Sequence, residues 1–257
     1  MVSLLVLVLF SFFYTDRVMN FINKKDPLMN KIDLLKDKYE ILPVNAVLDS
    51  NTIIPGVKGK SVDLDKSYEN MKVSGIFRED YLVYNDILPS EMLSNNMDKY
   101  IIGGNTSSNR VSLLVITNYD NIDKINNNNI TIFLNHKDVS INNIKKINKN
   151  SIYTYGNNGI YSEEILDNDN TIINRISKNK SIYCLSMEKN NDTLSICNKK
   201  KMYVVIPSIV GDYLDIKNNL TNGSIILLND MNNLDIIVKY INSKGYMIVP
   251  LEELLTE

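Results

Sequence analysis

The chain has 257 residues, with 28 basic and 30 acidic side chains and a net charge of -2. That balance offers no basic face to a phosphate backbone, which excludes nucleic acid as a partner. One histidine and two cysteines exclude multi-histidine zinc sites, zinc fingers and disulfide-dense scaffolds, while 44% hydrophobic residues supply a core.

Met1–Tyr14 is almost wholly apolar. It is shorter than the ~20 residues of a spanning helix. No basic residue precedes it and no small-residue cleavage pattern follows, so it does not match a cleaved signal peptide. It reads as a membrane anchor over 1–15 whose start is placed too late. The competing reading, a buried core element, is less favoured because the first residues of a chain rarely supply one. Arg17, Lys24 and Lys25 follow the stretch and by themselves favour a cytoplasmic body; a missing basic leader reverses the argument.

Residues 16–41 read as a helical stalk broken at Pro27. Residues 42–108 carry Pro43, Pro55, Pro89 and short apolar runs, the pattern of a small α+β extension. From 109 onward the rhythm changes. Strands are expected at Val111–Thr117, Ile130–Leu134, Ser151–Tyr155, Ser181–Leu185, Met202–Ile206, Ser224–Leu228 and Tyr246–Val249. Helical spacing lies between them; Asn232–Lys244 sets Leu234, Ile237, Val238 and Ile241 on one face, with Gly245 as a cap. Alternating strands and helices predict parallel βα units, a barrel or an open sheet, with chemistry at the strand C-terminal ends. The Asn-, Ile- and Lys-rich runs, such as Ile141–Asn150, keep their apolar period and read as codon bias rather than as a prion-like tract.

Gly223–Leu255, GSIILLNDMNNLDIIVKYINSKGYMIVPLEELL, resembles the end of the polysaccharide deacetylase (NodB-homology) domain. That family has a strand ending in Leu-Leu-His-Asp, a helix, Lys-Gly-Tyr, a last strand and a Leu-x-Glu-Leu-Leu tail. Val111–Asn118 sits where the family has its first strand ending in Phe-Asp-Asp-Gly, and Ile130–Leu134 where it has Ala-Thr-Phe-Phe. Tyr153–Ser162 sits where it has His-Glu-Ile-Gly-Asn-His-x-x-x-His, with Gly156 and Asn157 matching outright. The stretch through Asn105 resembles the extension of membrane-anchored members from Firmicutes. The resemblance implies a distorted (β/α) barrel of about seven parallel strands over 109–257, preceded by the membrane helix and the small α+β module.

It also implies where chemistry would sit. The family holds a divalent metal such as zinc with one Asp and two His, uses a second Asp as base and a C-terminal His as acid. The Asp pair falls on Ile116 and Thr117, the metal-binding His residues on Asn158 and Ser162, and the acid on Asn229, leaving Asp230 as the match. Ile neither ligates nor takes a proton, and Asn and Ser have no useful pKa near neutrality. The reading is a degenerate site with no catalytic residue and no cofactor. Its cleft would be lined by Asn118, Tyr119, Asp120, Asn158, Asn229 and Asp230. The expected protein is single-pass and membrane-bound with an extracellular body, binding cell-wall glycan or an envelope protein. The alternatives are an active hydrolase of N-acetylated polysaccharide whose site is rebuilt around Asp120, and a structural partner of a wall-synthesis complex.

Other candidates take bland readings. His136 is expected to be a loop residue starting a helix; Cys184 and Cys197, 13 residues apart, are expected to be buried thiols, with a disulfide as the alternative if the body is outside the cell. Glu163, Glu164, Asp167 and Asp169 are expected on a solvated face, Lys199–Lys201 in a solvated turn, and Gly211-Asp212 at a helix start. No phosphate-loop, dinucleotide or serine-hydrolase motif is present.

Overall fold

The computed structural model describes residues 25–117, 125, 127–147, 150–177 and 180–257. The expected anchor, 1–15, lies outside them; among the described residues no helix is long and apolar enough to cross a membrane. The chain divides into two units, a smaller one formed by the described residues of Met1–Val44 with Lys58–Leu88, and a larger one formed by Asn45–Val57 with those of Pro89–Glu257.

In chain order the helices are α1 Pro27–Leu35, α2 Leu64–Met71, α3 Ile141–Lys146, α4 Glu163–Ile176, α5 Asn191–Lys199, α6 Tyr213–Asn219, α7 Leu234–Ser243 and α8 Leu251–Leu254. The strands are β1 Val47–Asp49, β2 Thr52–Ile54, β3 Gly59–Val62, β4 Tyr84–Ile87, β5 Tyr100–Ile101, β6 Arg110–Thr117, β7 Thr131–Leu134, β8 Ser151–Thr154, β9 Tyr183–Leu185, β10 Tyr203–Val205, β11 Ile209–Gly211, β12 Ile225–Leu228 and β13 Met247–Ile248.

The smaller unit packs α1 on α2 beside the two-stranded antiparallel β3–β4 sheet. Its core is Leu28, Met29 and Ile32 against Val62, Tyr68, Met71 and Leu82. Pro27 opens a helix; residues 16–24 of the expected stalk lie outside the described residues. The proline occupies the first turn of α1, where a missing N–H costs nothing, and Asp26 caps the helix by accepting from Leu28 N at 2.7 Å.

In the larger unit, the stretch read as an extension and the stretch read as the α/β domain interleave. β1, β2 and β5 add to β10 and β9 in a sheet ordered β1-β2-β5-β10-β9. The second sheet runs β11-β12-β6-β7-β8, with β13 also paired to β6. All ladders except β1–β2 are parallel in these two sheets. The strands expected in one barrel are therefore divided between two sheets. One reason is Pro207. It lacks the N–H that a ladder requires. The chain leaves the first sheet after β10 and joins β12 of the second as β11, a strand the sequence reading missed.

Both faces of the second sheet are buried, as parallel strands demand. Val111, Leu113 and Val115 of β6 alternate to the helix side with Ile132, Ile152 and Ile226, beneath Ile144, Ile173, Ile216, Ile237 and Ile241. Leu114, Phe133, Tyr153, Ile225 and Leu227 turn the other way, toward Ile53, Ile101, Leu185 and Val205 of the first sheet. No backbone ladder joins β8 to β9. There an aromatic layer takes over. Phe133, Tyr153, Tyr183 and Tyr203 stand side by side, with successive centroid distances of 5.4, 5.3 and 5.9 Å. Glu252 of α8 accepts from Tyr153 Oη at 3.0 Å and from Ser151 Oγ. Burial first, and then the Glu252 charge, push the Tyr153 phenol far above its ordinary value, so it stays a donor.

Cys184 and Cys197 are disulfide-bonded, not free thiols. Packing of α5 on β10, beside β9, brings their Cα atoms to 6.6 Å, a proximity that spacing alone did not reveal. Closing a loop of this size restricts the unfolded chain by about 3 kcal/mol.

Tyr153→Ala should cost about 4 kcal/mol by opening a cavity in the layer, and Tyr153→Phe about 1 kcal/mol by removing one hydrogen bond. Urea unfolding of the two variants measures both; equal costs would mean that the rings contribute nothing beyond the hydroxyl.

Candidate functional site

The C-terminal ends of β6, β7, β8, β9 and β12 are where the expected site residues gather. The β6 ladders pair Ile116 with Phe133, Thr117 with Leu134, and Val115 with Leu228, so the β6 end lies level with the ends of β7 and β12. Asn118, Tyr119 and Asp120 lie outside the described residues.

Two hollows open here, with no lining residue in common. The first, of about 230 Å³, is lined by Val115, Ile116, Leu228, Asn229, Asp230, Met231 and Asn232. Asn229 N donates to Gly211 O at 3.2 Å, and Asp230 Oδ1 accepts from Asn232 N at 2.8 Å, which fixes the turn into α7. The second, of about 170 Å³, joins Tyr155, Asn158, Gly159 and Ile160 to Leu185, Ser186, Met187, Glu188, Asn190 and Thr193. Asn158 thus sits with the β9 end rather than with Asn229 and Asp230.

The loop bearing Asn158 is tightly specified. Gly156 has φ +60, and a Cβ there would stand 2.5 Å from Ile160 O, so only glycine fits. Asn158 is itself left-handed at φ 51, a region Asn tolerates better than most residues, and its N donates to Asn135 Oδ1 at 3.1 Å. Ser162 caps α4, with Oγ accepting from Ile165 N at 3.2 Å. Thr117 is buried. The positions that carry metal and acid/base groups in the resembled family therefore do structural work here: Ile116 lines a wall, Thr117 is packed, Ser162 caps a helix.

Among the described residues, the side chains at these positions do not fit a zinc ion. Asp230 is the single ionisable group among Ile116, Thr117, Asn158, Ser162, Asn229 and Asp230. Among the described residues no group of three or more His, Cys, Asp or Glu side chains could hold a metal.

Sequence reasoning missed a polar network behind the β8 end. His136 opens a short 3-10 helix, as expected, but its Nδ1 lies 2.7 Å from Asp169 Oδ1. Asp169 is not on a solvated face; it is 1% exposed. Its second oxygen accepts from Thr154 Oγ1 at 2.5 Å, and that hydroxyl accepts from Gly156 N at 2.9 Å. His136 N donates to Gly156 O at 2.7 Å, completing a frame around the Asn158 loop. The missed signal was periodicity: Leu166, Asp169 and Ile173 share one face of α4. Asp167 and Glu163, one face away, pair with Lys200 at 2.8 and 3.6 Å, and Glu163 with Lys199 at 3.3 Å. Asp212 caps α6 through a capping box, the expected helix start.

These features define a parallel α/β fold with its polar residues at the strand ends. The fold is shared with solved CE4 polysaccharide deacetylases. BA3943, described as a CE4 family pseudoenzyme from Bacillus anthracis, matches over 91% of this chain and 96% of its own, with TM-score 0.65 and 20% identity. A mutant of BA3943 described as having restored enzymatic activity matches over 90% and 99%, with TM-score 0.66 and 20% identity. The chitin deacetylase of Colletotrichum lindemuthianum matches over 62% and 92%, with TM-score 0.50 and 13% identity. The resemblance read from the sequence thus holds for the fold. In sequence, 92 residues are 37% identical to the uncharacterized protein YlxY of Bacillus subtilis (strain 168), over 35% of this chain and 29% of that protein. The match spans less than a third of the relative's length. No family model matches the chain.

Asp169→Ala should destabilise by about 2–3 kcal/mol, because a buried hydrogen-bonded charge is lost and Thr154 and His136 lose an acceptor. His136→Ala should cost under about 1 kcal/mol, since the ring is 43% exposed. Thermal unfolding of both variants checks this, and equal costs would remove Asp169 as the centre of the network.

Proposed function

We propose that this is a deacetylase-fold protein of the cell envelope that binds N-acetylated glycan without hydrolysing it. The observation that carries the reading is the chemistry of the strand ends. Ile116, Thr117, Asn158, Ser162 and Asn229 replace every group that would hold a metal or move a proton, and several have taken up packing or capping roles. What remains is mainly neutral and hydrogen-bonding: Asn158, Ser186, Asn190 and Tyr155 beside Glu188 in one hollow, Asn229 and Asn232 beside Asp230 in the other. Amide and hydroxyl groups beside an aromatic edge suit the hydroxyls and acetamides of a sugar. Closure of the two sheets into a distorted barrel belongs to the same reading, supported by the aromatic layer across β8 and β9.

Anchoring by residues 1–15 and an extracellular body are part of the proposal. The apolar stretch Met1–Tyr14 supports the first. The Cys184–Cys197 disulfide supports the second, because such bonds persist in oxidising compartments. It outweighs the few basic residues after the stretch.

Detergent-solubilised protein, incubated with Zn²⁺, Co²⁺ or Ni²⁺ and desalted, should retain no stoichiometric metal and release no acetate from N-acetylated glycan. Binding to isolated cell wall should fall about 10-fold, or ~1.4 kcal/mol, when Asn158 and Asn229 are both changed to Ala. One tightly held metal with acetate release would establish the hydrolase alternative, with Asp120 the first residue to replace. Absence of wall binding would leave a protein partner.

A separate test addresses the residue matching. Ile116→Asp, Thr117→Asp, Asn158→His and Ser162→His together should create one zinc site per chain, read as stoichiometric metal after desalting. Failure in a folded variant would mean that these positions do not converge.

A further inference from the structure

Exposed apolar side chains are unevenly distributed. Among the described residues, half of the large exposed ones belong to the smaller unit, which holds under a quarter of those residues. The most exposed of all is Val73, at 93%, and Ile76 is at 64%. They flank a turn that is rigid rather than loose. Met71 O, at the end of α2, accepts from Ser74 N at 3.0 Å, Gly75 N at 3.0 Å and Ser74 Oγ at 2.9 Å. Gly75 takes φ +66, with nothing within 4 Å of the place a Cβ would occupy. Met71 is fully buried below, and Phe77 packs on the core beside Tyr39. The fold thus holds two branched apolar side chains outward on a fixed turn.

The rim has a matching composition. Lys72 pairs with Glu69, and Arg78 pairs with Asp80 at 2.7 Å. The Arg78 guanidinium also lies 4.4 Å from the Tyr81 ring centroid, and Tyr81 is itself exposed. An apolar tip beside a tyrosine ring, with each cation of the rim paired to an acid and no excess of positive charge, suits the boundary between zwitterionic head groups and acyl chains.

Chain length fixes the occupant. Twelve residues separate Tyr14 from Pro27. Fully extended they reach at most about 45 Å. The chain enters α1 at Asp26, whose Oδ2 accepts from Tyr68 Oη at 3.0 Å. Tyr68 lies five residues before Val73, so the tip stands on the order of 20 Å from that entry point. A segment inserted in a bilayer would keep this turn within reach of the same leaflet.

The geometry points to a lipid surface as the partner of the Val73–Ile76 turn, so that the smaller unit lies on the membrane instead of hanging from it. This rests on the anchor reading of residues 1–15, and the test separates the two. The chain contains no tryptophan, so a single introduced one is an unambiguous reporter. Full-length Val73→Trp and Phe10→Trp proteins would be reconstituted in phosphatidylcholine vesicles, with and without lipids brominated near the head-group end of the chains. Both reporters should be quenched and blue-shifted, the first because such a turn sits ~5–10 Å deep. Quenching at position 10 alone overturns the inference and leaves the anchor standing. Quenching at neither overturns both. A blue shift at 73 without quenching, growing with protein concentration, marks self-association and overturns the lipid assignment. Adding Ile76→Asp to the Val73→Trp protein should abolish quenching at 73; persistence would also overturn it.

Discussion

The contact between Tyr153 and Tyr183 is the constraint on which the larger unit depends. Two mainly parallel sheets meet there without a backbone ladder, so side chains must supply the adhesion that hydrogen bonds supply elsewhere. Phe133 and Tyr153 are register partners in one sheet, Tyr183 and Tyr203 in the other, and the T-shaped central pair joins them. Aromatic pairs in such geometry contribute ~0.5–1.5 kcal/mol beyond their buried area. Buried phenols need acceptors, and Glu252 reaches up from α8 to Tyr153. Glu257 secures the same segment, accepting from Gly56 N at 3.0 Å and Leu93 N at 2.8 Å. The C-terminal residues thus tie β8 to the segments around β2 and β5. At the opposite edge of the second sheet, β11, the chain itself makes the join, passing through Pro207 after β10.

This framework leaves the strand ends to loops, and the loops have been put to structural use. The Asn158 loop is held by Asn135, by the His136 backbone and by the Asp169–Thr154–Gly156 chain of hydrogen bonds. A buried carboxylate is costly unless its oxygens are satisfied. Here both are, and the result is a stiff loop with neutral side chains. Stiffness favours binding, because less freedom is lost when a ligand docks. The chemistry of the same residues disfavours metal-assisted hydrolysis. The fold shared with CE4 deacetylases and a binding role are therefore compatible, since function resides in the site and not in the architecture.

The disulfide and the aromatic layer meet at β9. Cys184 and Tyr183 are neighbours that point to opposite faces, one toward α5 and one toward the inner layer. β9 is an edge strand of three residues, too short to hold itself in register. A covalent bond on one face and stacked rings on the other hold it, and with it the Ser186–Asn190 wall of the second hollow.

Seven strands, the α7 face and the Asp212 cap were legible in the sequence, because short continuous apolar runs, helical spacing and capping residues act within a few residues of themselves. The resemblance carried by Gly223–Leu255 also led to the α/β fold with a mainly parallel sheet. Asp169 was misread because its acidic neighbours hid its place on the apolar face of α4. The division into units, the transfer at Pro207, the Cys184–Cys197 bond and the split of Asn158 from Asn229 and Asp230 appeared only in three dimensions. The sequence by itself determined the local elements, the family of fold and the loss of ionisable groups from the expected positions. The tertiary structure decided which strands share a sheet, which buried side chains meet and which site residues face one hollow. Those outcomes depend on contacts between residues tens of positions apart, and local patterning does not encode them.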